Sequence, residues 1–336
     1  MKKGLQTPRS IVIFRALQLG DLLCTVPTFR ALRSYYPQAH IALVGLPWAA
    51  TFVNRFSAYL DEFIAFPGWP GLPEQDIQMR KIPGFLNKLQ ARRFDLAIQM
   101  QGDGHISNPL TLLFGARSTN GWMRAEQPPL ELGQFFPYPD GEHEIRIFLK
   151  LLELIGVPAQ GEQLEFPFSA IERADFEFFC QEHGLQPGAY ICLHPGARNL
   201  KRRWPPEKFA ALGDRLAERG YQVVLTGTAP EGALTYEIAA RMQRPALNLT
   251  GKTDLATMGL LVENARLLIS NDTGVSHIAA ALRTPSIVLF TVSEPQRWRP
   301  LDDYLHPIIT SADQASPDRV MKEVDQLLFK ERAYAP

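Results

Sequence analysis

Cysteine is scarce in this chain, with three among 336 residues: Cys24, Cys180 and Cys192. Their odd number, wide scatter and apolar neighbours exclude a disulfide framework or a metal knuckle and make a reducing cytoplasm the expected setting. Net charge is absent too, because 35 Lys and Arg balance 35 Asp and Glu. A neutral chain lacks the global electrostatic footprint of a nucleic-acid binder, so no such partner is expected and any charge logic must be local. No apolar run reaches the roughly 18 residues that a membrane span needs. The basic opening MKKGLQTPRS leads into a short run, IVIF, ended by Arg15, and not into the apolar core of a signal peptide. Internal repeats, low-complexity tracts and a GxxxxGK[ST] phosphate loop are also missing.

What is present is apolar bulk and rhythm. At 46% hydrophobic residues the chain has enough material for sizeable cores, and its length suits about two domains. IVIF, HIALVG, FDLAIQM and GARSTNGW read as strands, with the helix-like LLCTVPTFRALRSYY between the first two. After the proline- and glycine-bearing stretch VPAQGEQLEFPF, Val157 to Phe168, the rhythm restarts with AYICLHPG, YQVVLTG, ALNLTG, RLLISND and SIVLFT. The expectation is α/β, two Rossmann-like parallel-sheet domains in series, 1–165 and 166–336, with the C-terminal helix a candidate to pack back on the first. The segment Ala65–Phe85, rich in Pro, Gly and aromatics, reads as a long loop or a lid.

Open parallel sheets gather ligands beyond the carboxyl ends of their strands, so polar packets at strand ends are the places to search. After IVIF comes RALQLGDLLCTVP, where Asp21 sits near a helix start, as a capping carboxylate or as a general base. After AYICL comes LHPGARNLKRRWPPEKF, whose Lys201, Arg202 and Arg203 form either a solvated basic loop or a seat for a diphosphate. After YQVVL comes LTGTAPEGAL, in which Glu231 is a first-turn helix carboxylate or an acceptor for ribose hydroxyls. After ARLLI comes SNDTGVSH, Ser270 to His277. Here Asn271 and Asp272 are turn or capping types, Thr273 and Gly274 offer a hydroxyl and backbone N–H groups, and a helix start turns its positive end on them. His277 is a core imidazole or a ligand contact.

Together these packets resemble glycosyltransferase family 9, the bacterial heptosyltransferases of the lipopolysaccharide core. The resemblance is carried in order along nearly the whole chain by LGDLLCTVPTFRALR, LHPGARNLKRRWPPEKFAAL, VVLTGTAPE, LTGKTDL and, most specifically, LLISNDTGVSHIAAALRTPSIVLF. It implies a GT-B fold in which an acceptor domain and a nucleotide-sugar domain face a cleft. It further implies inverting transfer from a nucleotide sugar, ADP-heptose in the first place, with no metal and no cofactor, the nucleotide sugar being a substrate. By the same resemblance Asp21 is the catalytic base, and Lys201 or Arg202 with Thr273 and Gly274 bind the donor phosphates. Asp272 and His277 lie at the donor sugar and Glu231 at the ribose. The chain contains no DxD triplet through which a metal could serve the leaving diphosphate, so a helix N-terminus and the basic run would have to supply that charge.

The acceptor half is poorer in motifs. GDGHISNP follows the strand FDLAIQM, with Asp103 and His105 either acceptor contacts or parts of an ordinary polar turn. The acceptor is expected to be a glycan or glycolipid, with peripheral membrane contact through Trp69, Arg92, Arg93 and Trp122. Two other readings stand beside transfer: a nucleotide-sugar epimerase or hydrolase on the same architecture, and a nucleotide-sugar binding protein without catalysis.

Overall fold

A computed structural model describes residues 7–127, 130–310 and 315–334, so the basic opening at 1–6 lies outside the described residues. The first sheet begins with β1 (Ser10–Phe14), α1 (Leu19–Leu23), α2 (Val26–Tyr35), β2 (His40–Gly45), α3 (Ala49–Arg55) and β3 (Glu62–Ala65). It continues with α4 (Ile82–Arg92), β4 (Leu96–Gln99), α5 (Ser107–Leu112), β5 (Ser118–Met123), β6 (Gln134–Pro137) and α6 (Glu144–Leu154). All pairings are parallel and the spatial order is β3-β2-β1-β4-β5-β6. The unbroken apolar run of β1 follows from that position: it lies between β2 and β4, with Ile11 opposite both Ile41 and Leu96, and is buried on both faces. The order reverses at the β1/β4 boundary, where crossovers leave toward opposite edges and a crevice opens above the strand ends.

The second sheet repeats this topology. Its elements are α7 (Ala170–His183), β7 (Tyr190–His194), α8 (Pro206–Glu218), β8 (Gln222–Leu225), α9 (Gly232–Arg241) and β9 (Leu247–Asn248). There follow α10 (Leu255–Glu263), β10 (Leu267–Asn271), α11 (Gly274–Leu282), β11 (Ser286–Phe290), α12 (Pro295–Trp298), β12 (Ile308–Thr310) and α13 (Pro317–Tyr334). The order β12-β11-β10-β7-β8-β9 puts the switch point between β7 and β10. Ile191, Leu193, Leu267, Ile269, Ile287 and Leu289 point into one core with Trp204 and Phe209, and α13 closes it with Val320, Val324 and Leu327. Local signals start these helices: Ser169 and Glu172 form a capping box on α7, and the Asp254 carboxylate accepts from the Thr257 N–H at 2.7 Å on α10.

The chain divides into two units between Gln163 and Leu164. Phe166 already belongs to the second: a Cβ at Gly259 of α10 would lie 2.6 Å from its ring. The C-terminal helix α13 packs on α8 and β11 of the second unit. Three strands escaped the sequence reading, β3, β6 and β12, and all are short edge or near-edge strands whose partly exposed pattern needs no apolar run. The expected loop over Ala65–Phe85 is shorter than its composition suggested. Pro83 sits in the first turn of α4, where its missing N–H costs nothing, so IPGF starts a helix. Trp122 corrects the membrane-contact reading: only 2% exposed, it packs edge-on against Phe136 and Tyr138 and is a core residue of β5. Arg92 and Arg93 are exposed and Trp69 is half-buried.

One core histidine gives the fold a pH dependence. His306 is buried, its Nδ1 lies 2.8 Å from the Ser286 hydroxyl, and burial pushes its pKa down to about 4 against the opposing pull of Asp302. The folded state therefore favours the neutral ring. Between the folded value and the ordinary one of about 6.5 the unfolded chain binds more protons, so this stabilisation is complete above 6.5 and is lost as pH falls. Urea unfolding at pH 7 and pH 5 should show His306→Asn losing about 2 kcal/mol less than the wild type over that interval.

Candidate active site

The second switch point is tied together by one amide. Asn271, the fully buried last residue of β10, donates from Nδ2 to the Pro195 carbonyl at 2.8 Å and accepts at Oδ1 from the Trp204 N–H at 3.0 Å. That joins the end of β10 to the loop after β7 and to the entry of α8. Trp204 is itself anchored, its indole N–H donating to the Ala315 carbonyl at 2.9 Å while its ring meets Phe209 edge-on. The basic run between these anchors is thereby held across the strand ends. A further tie comes from Thr291 after β11, whose hydroxyl donates to the Lys201 carbonyl at 2.8 Å.

The cations are divided between two carboxylates. Arg202 Nη1 lies 3.3 Å from Asp272 Oδ2, and Arg203 Nη2 lies 3.7 Å from Glu231 Oε1 while its Nε donates to the Ala197 carbonyl at 2.9 Å. The Lys201 side chain is exposed at the edge of the packet. Asp272 is 3% exposed; burial raises its pKa, opposed by the Ser293 hydroxyl and the Arg202 charge, and Oδ2 receives no hydrogen bond of good geometry. Glu231 accepts at Oε2 from both the N–H and the hydroxyl of Thr228, each at 2.8 Å. Its carboxylate lies against Gly196, where a Cβ would stand 2.2 Å from Oε1, so the HPG turn after β7 needs its glycine for this close approach. His194 faces the Thr226 hydroxyl at 3.0 Å, and burial lowers its pKa against the field of Glu231.

Thr273 is the N-cap of α11, with extended backbone and no hydrogen bond from its side chain to the helix. Its carbonyl accepts from the Ser276 hydroxyl at 2.8 Å. The first turn of α11, starting at Gly274, thus presents backbone N–H groups beside Asp272 and the Arg202 guanidinium. His277 is buried at 3% exposure with its ring edge-on to Trp298 of α12, so it packs within the first turn rather than standing on the surface. Lys201, Arg202, Glu231, Asp272, Thr273, Gly274 and His277 all collect at the carboxyl ends of β7, β8 and β10 or in the turns just after them. Among the described residues, no three His, Cys, Asp or Glu side chains form a cluster able to hold a metal ion.

The first switch point carries Asp21. It is the third residue of the short α1, its Oδ2 accepting from the Gln18 N–H at 3.3 Å in a capping box, and its side chain is 22% exposed. Behind it lies a wholly buried guanidinium, that of Arg15 at the end of β1. The adjacent loop after β4 is linked to the same strand end, because Gln101 Oε1 accepts from the Ala16 N–H at 2.7 Å. Asp103 on that loop accepts from the His105 N–H at 3.1 Å and from Arg124 Nε at 3.3 Å, while the His105 side chain is exposed. Gly104 between them has φ +93°, and a Cβ there would fall 2.1 Å from the Trp122 carbonyl, which accepts from Asn108 Nδ2 at 2.8 Å. Reading the sequence missed Glu144 altogether and gave no site role to Arg15, His194 or Asn271, which it met only as the cation ending an apolar run, a member of the turn after AYICL, and a turn or capping residue.

The raised proton affinity of Asp272 has a measurable cost. Folding favours its protonated form, so relative to the unfolded chain the ionised carboxylate destabilises the protein at every pH above its folded pKa, and this penalty vanishes below the ordinary carboxylate range. Asp272→Asn should raise the melting temperature of the ligand-free protein at pH 7, with the gain disappearing as pH falls below the ordinary carboxylate range, as thermal scans across that range would show.

The chain is similar to known proteins. Residues 84–328 match the model of glycosyltransferase family 9 (heptosyltransferase). Lipopolysaccharide heptosyltransferase 2 of Escherichia coli K12 is 26% identical over 96% of this chain and 99% of its own length. Among solved structures, a family 9 glycosyl transferase from Veillonella parvula superposes with a TM-score of 0.82 at 20% identity, covering 96% of this chain and 97% of that one. The Escherichia coli ADP-heptose heptosyltransferase II superposes with a TM-score of 0.78 at 24% identity, covering 96% and 99%. With two parallel sheets of the GT-B type and a family match over most of its length, the chain belongs to glycosyltransferase family 9 and is a glycosyltransferase.

Proposed function

We propose that this glycosyltransferase moves heptose from ADP-heptose onto a hydroxyl of the lipopolysaccharide core, with inversion and without a metal ion. The observation that carries the reading is the pairing of buried Asp272 with Arg202 beside the uncapped first turn of α11. A carboxylate that no hydrogen bond fully satisfies is suited to accept sugar hydroxyls, and the neighbouring cations and helix N–H groups are suited to a diphosphate. Glu231 is the ribose contact in this reading, and Lys201, exposed at the rim, reaches the phosphates when donor binds. Asp103 and His105 contact the acceptor.

The chemical step needs one base and one stabilised leaving group. Asp21 takes the proton of the acceptor hydroxyl as its oxygen bonds to the anomeric carbon from one face of the sugar. The bond from that carbon to the diphosphate breaks on the opposite face, its electron pair leaving on the ADP phosphate, where Arg202, Lys201 and the α11 N-terminus offset the new charge. Among the described residues no helix is long and apolar enough to cross a membrane. The enzyme in this reading works on the cytoplasmic side and meets a membrane-borne acceptor peripherally, through Arg92, Arg93 and Trp69.

A thermal-shift panel of ADP, UDP, GDP and ADP-heptose in EDTA tests the donor site. ADP-heptose at a hundredfold excess over its Kd should stabilise the protein by about 2.7 kcal/mol over the ligand-free form, more than ADP does at the same concentration, and Asp272→Ala should erase the difference between the two ligands. Stabilisation that needs added metal, or that UDP or GDP alone produces, would overturn the donor or the metal-free seat. Asp21→Asn should bind ADP-heptose as the wild type does and lose about 100-fold or more in kcat.

A further inference from the structure

The first unit holds a buried charge that the proposed chemistry leaves unexplained. Arg15, the residue after β1, has no exposed surface, and all three of its side-chain nitrogens are committed. Nε donates to the Asp21 backbone carbonyl at 3.0 Å, Nη1 to the Met100 carbonyl at 2.5 Å, and Nη2 to Glu144 Oε1 at 2.8 Å. The guanidinium carbon lies over the Phe148 ring, 4.5 Å from its centroid. One side chain therefore connects β1, α1, the end of β4 and α6. Glu144 is 2% exposed and opens α6, beside the buried N-cap His143, so its charge also lies at a helix N-terminus.

Such an arrangement is expensive as a stability device. Burying a guanidinium and a carboxylate costs several kcal/mol per ion before their attraction is counted, and an apolar pair of similar volume often does as well. What the pair achieves that an apolar pair cannot is geometric. The planar fork of Arg15 fixes the α1 backbone at Asp21 through Nε, while Nη2 stands 3.9 Å from Asp21 Oδ1. The carboxylate is held from its own main chain and faced at 3.9 Å by a cation that it shares with Glu144, so one guanidinium orients both the backbone and the charge of Asp21. In this five-residue helix the Arg15 anchor acts together with the capping contact from the Gln18 N–H to Asp21 Oδ2 at 3.3 Å.

The geometry points to Arg15, braced by Glu144, as a positioning residue that sets the orientation of Asp21 for proton removal from the acceptor. This inference rests on the reading of Asp21 as the base. Lysine at position 15 keeps the charge but cannot reach the Asp21 carbonyl, the Met100 carbonyl and Glu144 at once, so a simple ion-pair role and a positioning role separate.

The test compares Arg15→Lys and the double variant Arg15→Met/Glu144→Met with the wild type, each also combined with Asp21→Asn. Turnover is followed as ADP release from ADP-heptose with deacylated lipopolysaccharide core oligosaccharide as acceptor, and ADP affinity by calorimetry. The expected result is cooperative unfolding, unchanged ADP affinity, KM values within about twofold and kcat reduced about tenfold or more, with no further loss when Asp21 is already Asn. A folded Arg15 variant with wild-type kcat overturns the inference, as does an equal loss on the Asp21→Asn background, since the residue would then act independently of Asp21. If the double variant fails to fold, Arg15→Lys decides alone, because it keeps a cation beside Glu144. Wild-type turnover by Asp21→Asn removes the base reading and this inference together; a defective Asp21→Asn beside unimpaired Arg15 variants removes this inference only.

Discussion

The strand ends of the second sheet depend on the hydrogen bonds of a single amide side chain. Asn271 ends β10 at the point where the sheet order reverses, and its donor and acceptor are spent on the loop after β7 and on the entry of α8. Nothing in a parallel sheet forces the loops of neighbouring strands to converge, because the ladder stops at the last paired residue. A buried amide that satisfies one carbonyl and one N–H from chain segments some 70 residues away supplies that force and leaves neither group unpaired. With Asn271 in place, Trp204 is anchored, the basic run lies across the strand ends, and Arg202 meets Asp272.

Charge placement follows from the same switch points. Ion pairs such as Arg215–Asp318 and Arg241–Glu237 are exposed on both sides and contribute little beyond solubility. Those at the strand ends differ in kind. Arg15–Glu144 is buried on both sides, Arg202–Asp272 on the acidic side only, and Arg203–Glu231 is largely covered. Buried charges of this kind are poor sources of stability and good sources of geometry, since each carboxylate keeps a defined place and a defined partner. In both sheets these groups stand beyond the reversal of strand order, where the opposite courses of the crossover connections leave space for a ligand.

Much of this was legible before any coordinates. The apolar runs of β1, β2, β7, β8, β10 and β11 are continuous because strands buried on both faces need no alternation, and they announced two parallel sheets. The edge strands β3, β6 and β12 were not legible, since partial exposure removes the pattern that identifies a strand. Asp21, Asp272, Glu231 and the basic run stood out as polar residues where apolar strands stop. Trp122 misled, because an aromatic near a polar loop looks the same in sequence whether it faces solvent or lies under Phe136 and Tyr138.

The sequence by itself determined the α/β class, the doubled domain plan and the family, because strand burial and strand-end chemistry are written within short windows of neighbouring residues. Tertiary structure alone decided the strand orders, and with them which packets lie side by side. It also decided that Arg202 belongs to Asp272, Arg203 to Glu231 and Arg15 to both Glu144 and the Asp21 backbone. Those pairings join residues from about 30 to about 130 positions apart, except for the short reach from Arg15 to Asp21. Local propensity carries no information at such separations. Their partners are chosen by the topology of the sheet and by the cost of leaving a buried charge alone.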